Sequence, residues 1–328
     1  MDRLGFFKHG LSSLLEVAQS IVGLKHAADS FTEAVDEALS NIKTDIGLHL
    51  PSLDAAMYED PQGTICDVAE MGYTLIEVGA YGAGKVHNQP AARIRELADG
   101  SKLKIIGAHI NKLYERPVAE SDQEAAEEKT TTDSVTDSTS PEAAEPKADP
   151  NAEWWRKALE DAKTLGCSYV TMSRLPDYPT DEVITEYVGY FNLIGALAAE
   201  QGMQFCFHPR KMDMLSGQDG APSAFTRLAT ECDAEKVAFQ LDTCEAMEAG
   251  VDVIEILKQY AGRVPLLHIH DYGTVGESGK IDFEKIIAEG IRTGVKEILL
   301  EVSSYSLPPK NCVERSLQNV QNLPSIRF

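Results

Sequence analysis

Residues 262–301, GRVPLLHIHDYGTVGESGKIDFEKIIAEGIRTGVKEILLE, contain one strand–helix–strand unit. Short apolar runs begin at Leu266 and near Ile298, and each has the length of a buried strand. A helical pattern lies between the two runs and ends at Gly294, where the left-handed conformation that follows many helices favours glycine. Two strands joined by a helix in this way are the unit from which parallel α/β sheets are built.

The same unit recurs along most of the chain. Strand-like runs begin near residues 46, 75, 105, 169, 204, 237, 266 and 298, and most of the helical patterns between them end in a glycine. Eight units predict an α/β fold with a closed (β/α)8 TIM barrel. An open, doubly wound sheet is the alternative, but the glycine-rich turn at Gly79–Gly84 lacks the GxGxxG spacing expected there.

Two segments depart from this repeat. Residues 1–44 carry apolar residues at helical spacing, and we predict an amino-terminal helical extension that packs on the barrel domain, residues 45–328. Residues 115–150, which follow strand three, hold 11 acidic and 3 basic residues and little apolar surface. Because such a segment cannot offset the entropy of ordering by burial, we predict a disordered acidic insertion there. Long loop insertions cost little free energy, so we expect a solvated loop rather than a lid.

The charge of the chain limits its partners. The 328 residues include 52 acidic and 30 basic ones, for a net charge of −22. A field of this sign repels phosphate backbones, so nucleic acid is not expected as a partner. No run of about 18 apolar residues occurs, so no membrane span is expected either.

The cysteines and the amino terminus indicate the compartment. Six cysteines occur without a CxxC pair, which is typical of reduced core residues rather than of a disulfide framework. The first residues offer only Arg3 where a twin-arginine leader needs two, and Glu16 and Gln19 stand where a leader would be apolar. We therefore expect a cytoplasmic protein. The amino-terminal helices offer a contact surface for a homo-oligomer.

Polar residues stand where the predicted strands end. In a TIM barrel the carboxyl ends of the strands carry the active site. Five of the eight histidines lie at these ends. The strand-end residues are His49, Glu77, His109, Ser173 with Arg174, His208, Asp242, His268 with His270, and Glu301.

Four of these residues predict a metal site. Side chains alternate along a strand, so His268 and His270 share one face and the apolar Leu267 and Ile269 share the other, against the helices. The same alternation directs polar side chains of the last four strands towards the barrel axis. Two imidazoles and two carboxylates form a ligand set for a divalent cation such as Mn, Zn, Co or Mg. The predicted ligands are His208, Asp242, His268 and Glu301.

Several motifs resemble a known family. They are Ala249-Gly-Val-Asp252, Gly262–Asp271, Gly279-Lys-Ile-Asp-Phe283 and Glu301, with Trp154-Trp-Arg-Lys-Ala158 and Leu165-Gly166 before strand four. In order and spacing, from about Ile46 to Leu323, they resemble the xylose isomerase-like barrels known as sugar phosphate isomerases/epimerases. The resemblance implies a divalent metal on the last four strands, with His208, Asp242, His268 and Glu301 as its ligands. It also implies a carbohydrate substrate and proton transfer next to a carbonyl through a metal-stabilised enediolate.

The chain departs from the family pattern at some positions. One branch has His-Asn-His on strand five, where this chain has His208-Pro-Arg210, and Asp213 stands where a glutamate often follows. Some epimerases have a histidine three residues after the strand-six aspartate, where this chain has Glu245. These differences leave open whether the two-glutamate proton shuttle of ketose 3-epimerases applies here.

The sequence supports a set of catalytic roles. Glu301 is predicted to be both ligand and base, and His270 or His109 the second acid or base, since imidazole titrates near neutral pH. Arg174 and Arg210 suit the binding of an anionic or carbonyl group. His49 and Glu77 are the remaining predicted substrate contacts.

Three other classes of protein compete with this interpretation. A lyase or dehydratase that acts on an oxidised sugar or glycoside would use the same metal and base. A non-catalytic carbohydrate-binding member is an alternative because several family positions are altered. A metal-dependent nuclease of the same barrel type would need more ligands and a basic surface, which the charge of −22 disfavours.

Overall fold

The computed structural model describes residues 45–116, 149–217 and 220–324. The helical extension predicted for residues 1–44 and the greater part of the predicted insertion, residues 117–148, lie outside the described residues. Eight parallel strands form a closed barrel in which β1 pairs with both β2 and β8. The strands are β1 Ile46–His49, β2 Leu75–Val78, β3 Lys104–His109, β4 Tyr169–Met172, β5 Gln204–Phe207, β6 Val237–Asp242, β7 Leu266–His270 and β8 Glu297–Glu301.

The predicted TIM barrel is confirmed, with each strand starting within a residue of its predicted position. Helices follow the strands and cover the outside of the barrel. They are α1 Asp54–Glu59, α2 Pro61–Glu70, α3 Ala91–Gly100, α4 Pro150–Leu165, α5 Asp181–Glu200, α6 Lys211–Met214, α7 Ala224–Glu231, α8 Thr243–Glu248, α9 Val253–Gln259, α10 Phe283–Thr293 and α11 Pro309–Gln321. None of the described helices is long and apolar enough to cross a bilayer.

Short irregular elements lie at the carboxyl end of the barrel. A 3-10 helix, Leu50–Leu53, follows β1, and three two-residue antiparallel strands follow β2 at Tyr81–Gly82, Lys85–Val86 and Gln89–Pro90.

The first residue of α4 is Pro150, and Asp149 caps this helix by accepting a hydrogen bond from the Asn151 backbone N–H. The predicted insertion of residues 115–150 therefore has ordered residues at both of its ends.

The helix ends follow the glycine pattern with one exception. Gly166 and Gly294 adopt φ angles of 85° and 107° after α4 and α10, as a left-handed cap requires. Gly100, by contrast, is the last residue of α3, and the left-handed residue after it is Lys102, with φ of 60°. The turn after α3 therefore places a lysine in a conformation that glycine adopts more readily.

The barrel interior consists of an apolar layer and a polar layer. One inward-facing position of seven strands contributes to a separate apolar cluster: Leu75, Ile106, Tyr169, Cys206, Ala238, Leu266 and Leu299. On β1 the corresponding residue is Gly47, where an added Cβ would lie 2.5 Å from Leu299 Cδ2. Two residues further along seven of the eight strands, and three residues further along β3, where the register with β2 shifts, the interior becomes polar. The apolar layer therefore closes the barrel beneath the strand-end residues.

Candidate metal and substrate site

The four predicted metal ligands converge at the ends of β5–β8. His208, Asp242, His268 and Glu301 each offer a ligand atom, and these atoms all lie within 4.8 Å of one another. We call these four residues the β5–β8 cluster. His208, Asp242 and His268 are buried, and the Glu301 side chain is 20% exposed. The site thus has one carboxylate at the opening of the barrel and three candidate ligand residues beneath it.

Among the described residues, the His208 imidazole has no hydrogen-bond partner. Both ring nitrogens are buried, and neither makes a hydrogen bond within the described residues. A buried polar group without a partner is costly, so this ring fits a site that binds something other than protein. Burial and the nearby His268 lower the pKa of His208 to about 3. The ring is therefore neutral at pH 7, which is the form that binds metal ions.

Asp242 links this cluster to His270. Its Oδ1 accepts a hydrogen bond of 2.8 Å from the Glu245 backbone N–H and caps α8, while Oδ2 accepts one of 2.9 Å from His270 Nδ1. His270 Nε2 lies 2.7 Å from the Ser303 hydroxyl. Burial opposes a charge on His270, but Asp242 outweighs this effect and raises the pKa of His270 to about 9. His270 is therefore protonated at neutral pH.

His268 lies between two carboxylates. Its Nδ1 is 2.7 Å from Glu301 Oε2, and its Nε2 is 2.8 Å from Glu77 Oε2. Burial opposes the charged form, but Glu77 and Glu301 raise the pKa of His268 to about 10. Although burial favours neutral acids, the neighbouring imidazoles hold the pKa of Glu77 and of Glu301 well below the usual range. Without a bound cation, the centre is thus an imidazolium between two carboxylates.

The predicted substrate and acid–base residues on the first three strands form a second group. We call His49, Glu77 and His109 the β1–β3 cluster. His49 Nδ1 donates to Glu77 Oε2 at 2.7 Å, and His109 Nε2 lies 3.2 Å from the same oxygen. Glu77 is fully buried. With His268, these residues also place four ligand atoms within 4.8 Å of one another.

The two predicted arginines have different surroundings. Arg210 is held by Asp213, with Nε to Oδ2 and Nη2 to Oδ1 distances of 3.1 Å, and it also donates to the Leu175 carbonyl at 3.2 Å. Arg174 is exposed on the loop after β4. The neighbouring Ser173 donates its backbone N–H to Asn111 Oδ1. Arg174 is therefore the arginine whose charge is available at the opening of the barrel.

Three further residues, for which the sequence predicts no role, belong to the site. Gln240 Nε2 donates to Glu77 Oε1 at 2.9 Å, Ser303 contacts His270, and the Thr171 hydroxyl is buried without a partner within the described residues. The alternation of side chains along a strand could have predicted two of them, Gln240 and Ser303. Gln240 lies two residues before Asp242, and Ser303 lies two residues after Glu301.

Comparisons with known proteins agree with this architecture. The family model described as xylose isomerase-like TIM barrel matches residues 65–321. A sugar phosphate isomerase/epimerase of Parabacteroides distasonis superposes with a TM-score of 0.72 at 20% identity, covering 88% of this chain and 96% of that one. No curated protein sequence matches the chain.

Two more distant structures share the same fold. D-allulose 3-epimerase of a Methylomonas species, in complex with D-allulose, has a TM-score of 0.60 at 14% identity and covers 86% of this chain and 97% of its own. The IOLI protein with a bound zinc atom has a TM-score of 0.57 at 14% identity and covers 87% of this chain and 99% of its own. At these identities the similarity concerns the fold.

Proposed function

Because the chain belongs to the xylose isomerase-like TIM-barrel family, we propose that it is a divalent-metal-dependent sugar isomerase or epimerase. The substrate would be a small carbohydrate, and the reaction would move a proton on a carbon next to a carbonyl. D-allulose 3-epimerase, whose structure of similar fold contains D-allulose, supports this class of substrate.

One observation carries the proposal. Four side chains of the types that bind divalent cations meet within 4.8 Å at the carboxyl ends of four consecutive strands, where barrel enzymes hold their active sites. One of them, His208, has two buried nitrogens without a hydrogen bond within the described residues. Two imidazoles with two carboxylates suit Mn, Zn or Co, and Mg to a lesser degree. A zinc atom in a protein of the same fold is consistent with this set.

His208, Asp242, His268 and Glu301 would hold the cation. When bound there, it would withdraw electrons from a substrate carbonyl and an adjacent hydroxyl, and so acidify the intervening C–H bond. The protein's own contribution is to place a base and an acid beside that bond.

Glu301 is the proposed base. Its Oε2 accepts a hydrogen bond from His268 Nδ1, whereas its Oε1 makes no hydrogen bond within the described part of the chain. The side chain is partly exposed at the opening of the barrel. Oε1 would accept the proton from the carbon. Because the pKa of Glu301 lies well below its usual range, the carboxylate is a weak base, and removal of the proton depends on an acidified substrate.

His270 is the proposed acid. With a pKa raised to about 9 it carries a proton at neutral pH, and its Nε2 donates to the hydroxyl of the exposed Ser303. This pair would supply a proton to substrate through the Ser303 oxygen. His109 is less suited to the role, because its Nε2 is 2.8 Å from Gln240 Oε1. Arg174 would orient a carbonyl or anionic group of the substrate.

The test is metal analysis combined with Asp242→Asn. We expect wild-type protein purified without chelator to contain about one divalent cation per chain. The substituted asparagine would still cap α8 through its side-chain oxygen, so the variant should fold, but it should lose most bound cation and more than about 100-fold of turnover. Turnover is measured as isomer formation and as exchange of the adjacent C–H with solvent deuterium, using ketoses, aldoses and keto-glycosides.

Asp252→Asn is the matched control. Asp252 caps α9 by accepting hydrogen bonds from two backbone N–H groups, and it is exposed. The Asp252→Asn variant should retain both its bound cation and its turnover. The proposal fails if Asp242→Asn keeps its cation and its turnover, or if the wild-type protein neither contains nor takes up a divalent cation. Loss of water or an alcohol from the substrate, in place of isomer formation, would identify a lyase instead.

A further inference from the structure

Two groups of side chains in this barrel could hold a cation, and they share His268. Glu301 of the β5–β8 cluster lies on its Nδ1 side, with Oε2 at 2.7 Å. The β1–β3 cluster meets its Nε2 side, where Glu77 Oε2 lies at 2.8 Å. The imidazole can present a lone pair to only one of these sides when it carries a single proton. Hydrogen bonding around the ring decides which side that is.

The β1–β3 cluster already satisfies its own carboxylate. Glu77 Oε2 accepts from His49 Nδ1 and from His268 Nε2, and Glu77 Oε1 accepts from Gln240 Nε2. Gln240 Nε2 also approaches His268 Nε2 at 2.6 Å. Because a carboxylate can only accept, the proton of His268 Nε2 points to Glu77 Oε2 and the amide hydrogen points to Glu77 Oε1. A cation here would have to break several of these hydrogen bonds.

The β5–β8 cluster is different. His208 offers two nitrogens that make no hydrogen bond within the described residues, and Glu301 uses one of its two oxygens. A cation on this side gains the His208 lone pair without displacing any partner of that ring. The cluster that still has ligand atoms without a hydrogen bond within the described residues is therefore the β5–β8 cluster. His268 Nδ1 lies next to Glu301 of this cluster.

We infer that Glu77 is a positioning residue, which holds the Nε2 proton of His268 and thereby presents Nδ1 to the cation. This inference rests on the proposed metal site. Carboxylates commonly play this part towards metal-bound histidines, where they fix the tautomer and the orientation of the ring. His49, His109 and Gln240 in turn fix the carboxylate, which is fully buried and accepts hydrogen bonds through both of its oxygens. The role differs from the substrate contact that the sequence predicts for Glu77.

The test is the cation affinity of Glu77→Gln, measured by competition with a chromogenic chelator using Zn²⁺ and Mn²⁺. A glutamine at this position can offer an N–H to His268 Nε2, which favours the tautomer with the proton on Nδ1. We expect affinity to fall by about 10- to 100-fold, the usual effect of removing such a partner. Glu289→Gln is the matched control. Glu289 is 12% exposed and pairs with Arg292 on α10, so its replacement should change affinity less than about twofold.

A second measurement does not depend on the folding of a variant. Nitrogen-15 NMR of the histidine side chains in the wild-type protein loaded with Zn²⁺ should show His268 with a protonated Nε2 and a metal-bound Nδ1. Binding through Nε2, or two cations per chain with one bound by the β1–β3 cluster, would overturn the inference. An unchanged affinity in a folded Glu77→Gln would do the same. If the wild-type protein binds no cation at all, the proposed function itself fails, so the two failures are distinct.

Discussion

His208 and His268 have ring centroids only 5.1 Å apart, yet their surroundings shift their pKa values in opposite directions. Burial and the nearby His268 lower the pKa of His208 to about 3, whereas His268, which is also buried, has its pKa raised to about 10 by two carboxylates. The difference follows from local charge, because desolvation alone disfavours either imidazolium. One ring is thus ready to bind a cation at neutral pH, and the other must first lose a proton.

This contrast predicts proton release when a cation binds. In the cation-free protein at about pH 7.5, His268 is charged and His208 is neutral, so binding should release about one proton per cation, from His268. Since cation and proton compete for one nitrogen, apparent affinity should rise by about tenfold per pH unit and level off near pH 10. Calorimetry in buffers of different ionisation enthalpy measures the released proton.

The alternative outcome is equally measurable. An affinity that does not change between about pH 6 and pH 9 would show that His268 is not protonated before binding, contrary to its position between two carboxylates. We expect no proton release from His270, because neither of its nitrogens is a proposed ligand: Nδ1 faces Asp242 and Nε2 faces Ser303.

At the scale of the element, α5 is placed by a single close approach. Gly195 lies on the buried side of this helix, and an added Cβ would lie 2.4 Å from the Lys236 carbonyl oxygen, just before β6. The helix backbone therefore packs directly against the chain that leads into the strand bearing Gln240 and Asp242. A larger side chain would push helix and strand apart, since backbone cannot rotate away as a side chain can.

Gly195→Ala should therefore destabilise the protein by about 1–3 kcal/mol, despite the better helix propensity of alanine. Gly189→Ala is the control on the same helix. Gly189 is exposed, and no described atom outside its own stretch of helix lies within 4 Å of an added Cβ, so its replacement should stabilise by about 0.5–1 kcal/mol. Urea unfolding followed by circular dichroism compares the two. Equal effects in both variants would show that the contact with Lys236 is relieved by a small shift of the helix.

At the scale of the whole molecule, the barrel is closed without residues 117–148. The chain on both sides of this segment is held by two hydrogen bonds, from the Asn151 side chain to the Glu115 carbonyl at 2.7 Å and from the Glu115 N–H to Asn151 Oδ1 at 3.0 Å. Asp149 caps α4. These contacts join the two ends of the segment at the active-site face of the barrel.

Replacement of residues 117–148 by about four Gly and Ser residues should leave the fold intact, because shortening a loop whose ends already meet changes its closure entropy little. We expect the thermal midpoint to shift by less than about 3 °C and turnover by less than about twofold. Thermal unfolding and the isomerisation assay measure the two quantities. A folded deletion variant with at least about a tenfold loss of turnover would instead identify the segment as a lid.

The fold and the candidate site differ in how far the sequence predicts them. The strand ends at His208, Asp242, His268 and Glu301 could be predicted, because side-chain alternation and the parallel arrangement of strands are regular. The contacts of Glu77 could not, since its distance to His268 depends on the stagger of the closed barrel and on side-chain rotamers. Metal binding and the catalytic roles stay predictions.

The sequence by itself determined the eight strand–helix units, their order and the polar residues at the strand ends, because these depend on local periodicity and on short connections. Only the tertiary structure decided which strand-end residues meet. Closure of the barrel brings Glu77 within 2.8 Å of His268 although 191 residues separate them along the chain. It leaves the His208 nitrogens without a hydrogen bond within the described residues, while both oxygens of Glu77 accept hydrogen bonds. Whether two such groups form a hydrogen bond depends on differences of a few tenths of an ångström in their distance, which no local pattern in the sequence encodes.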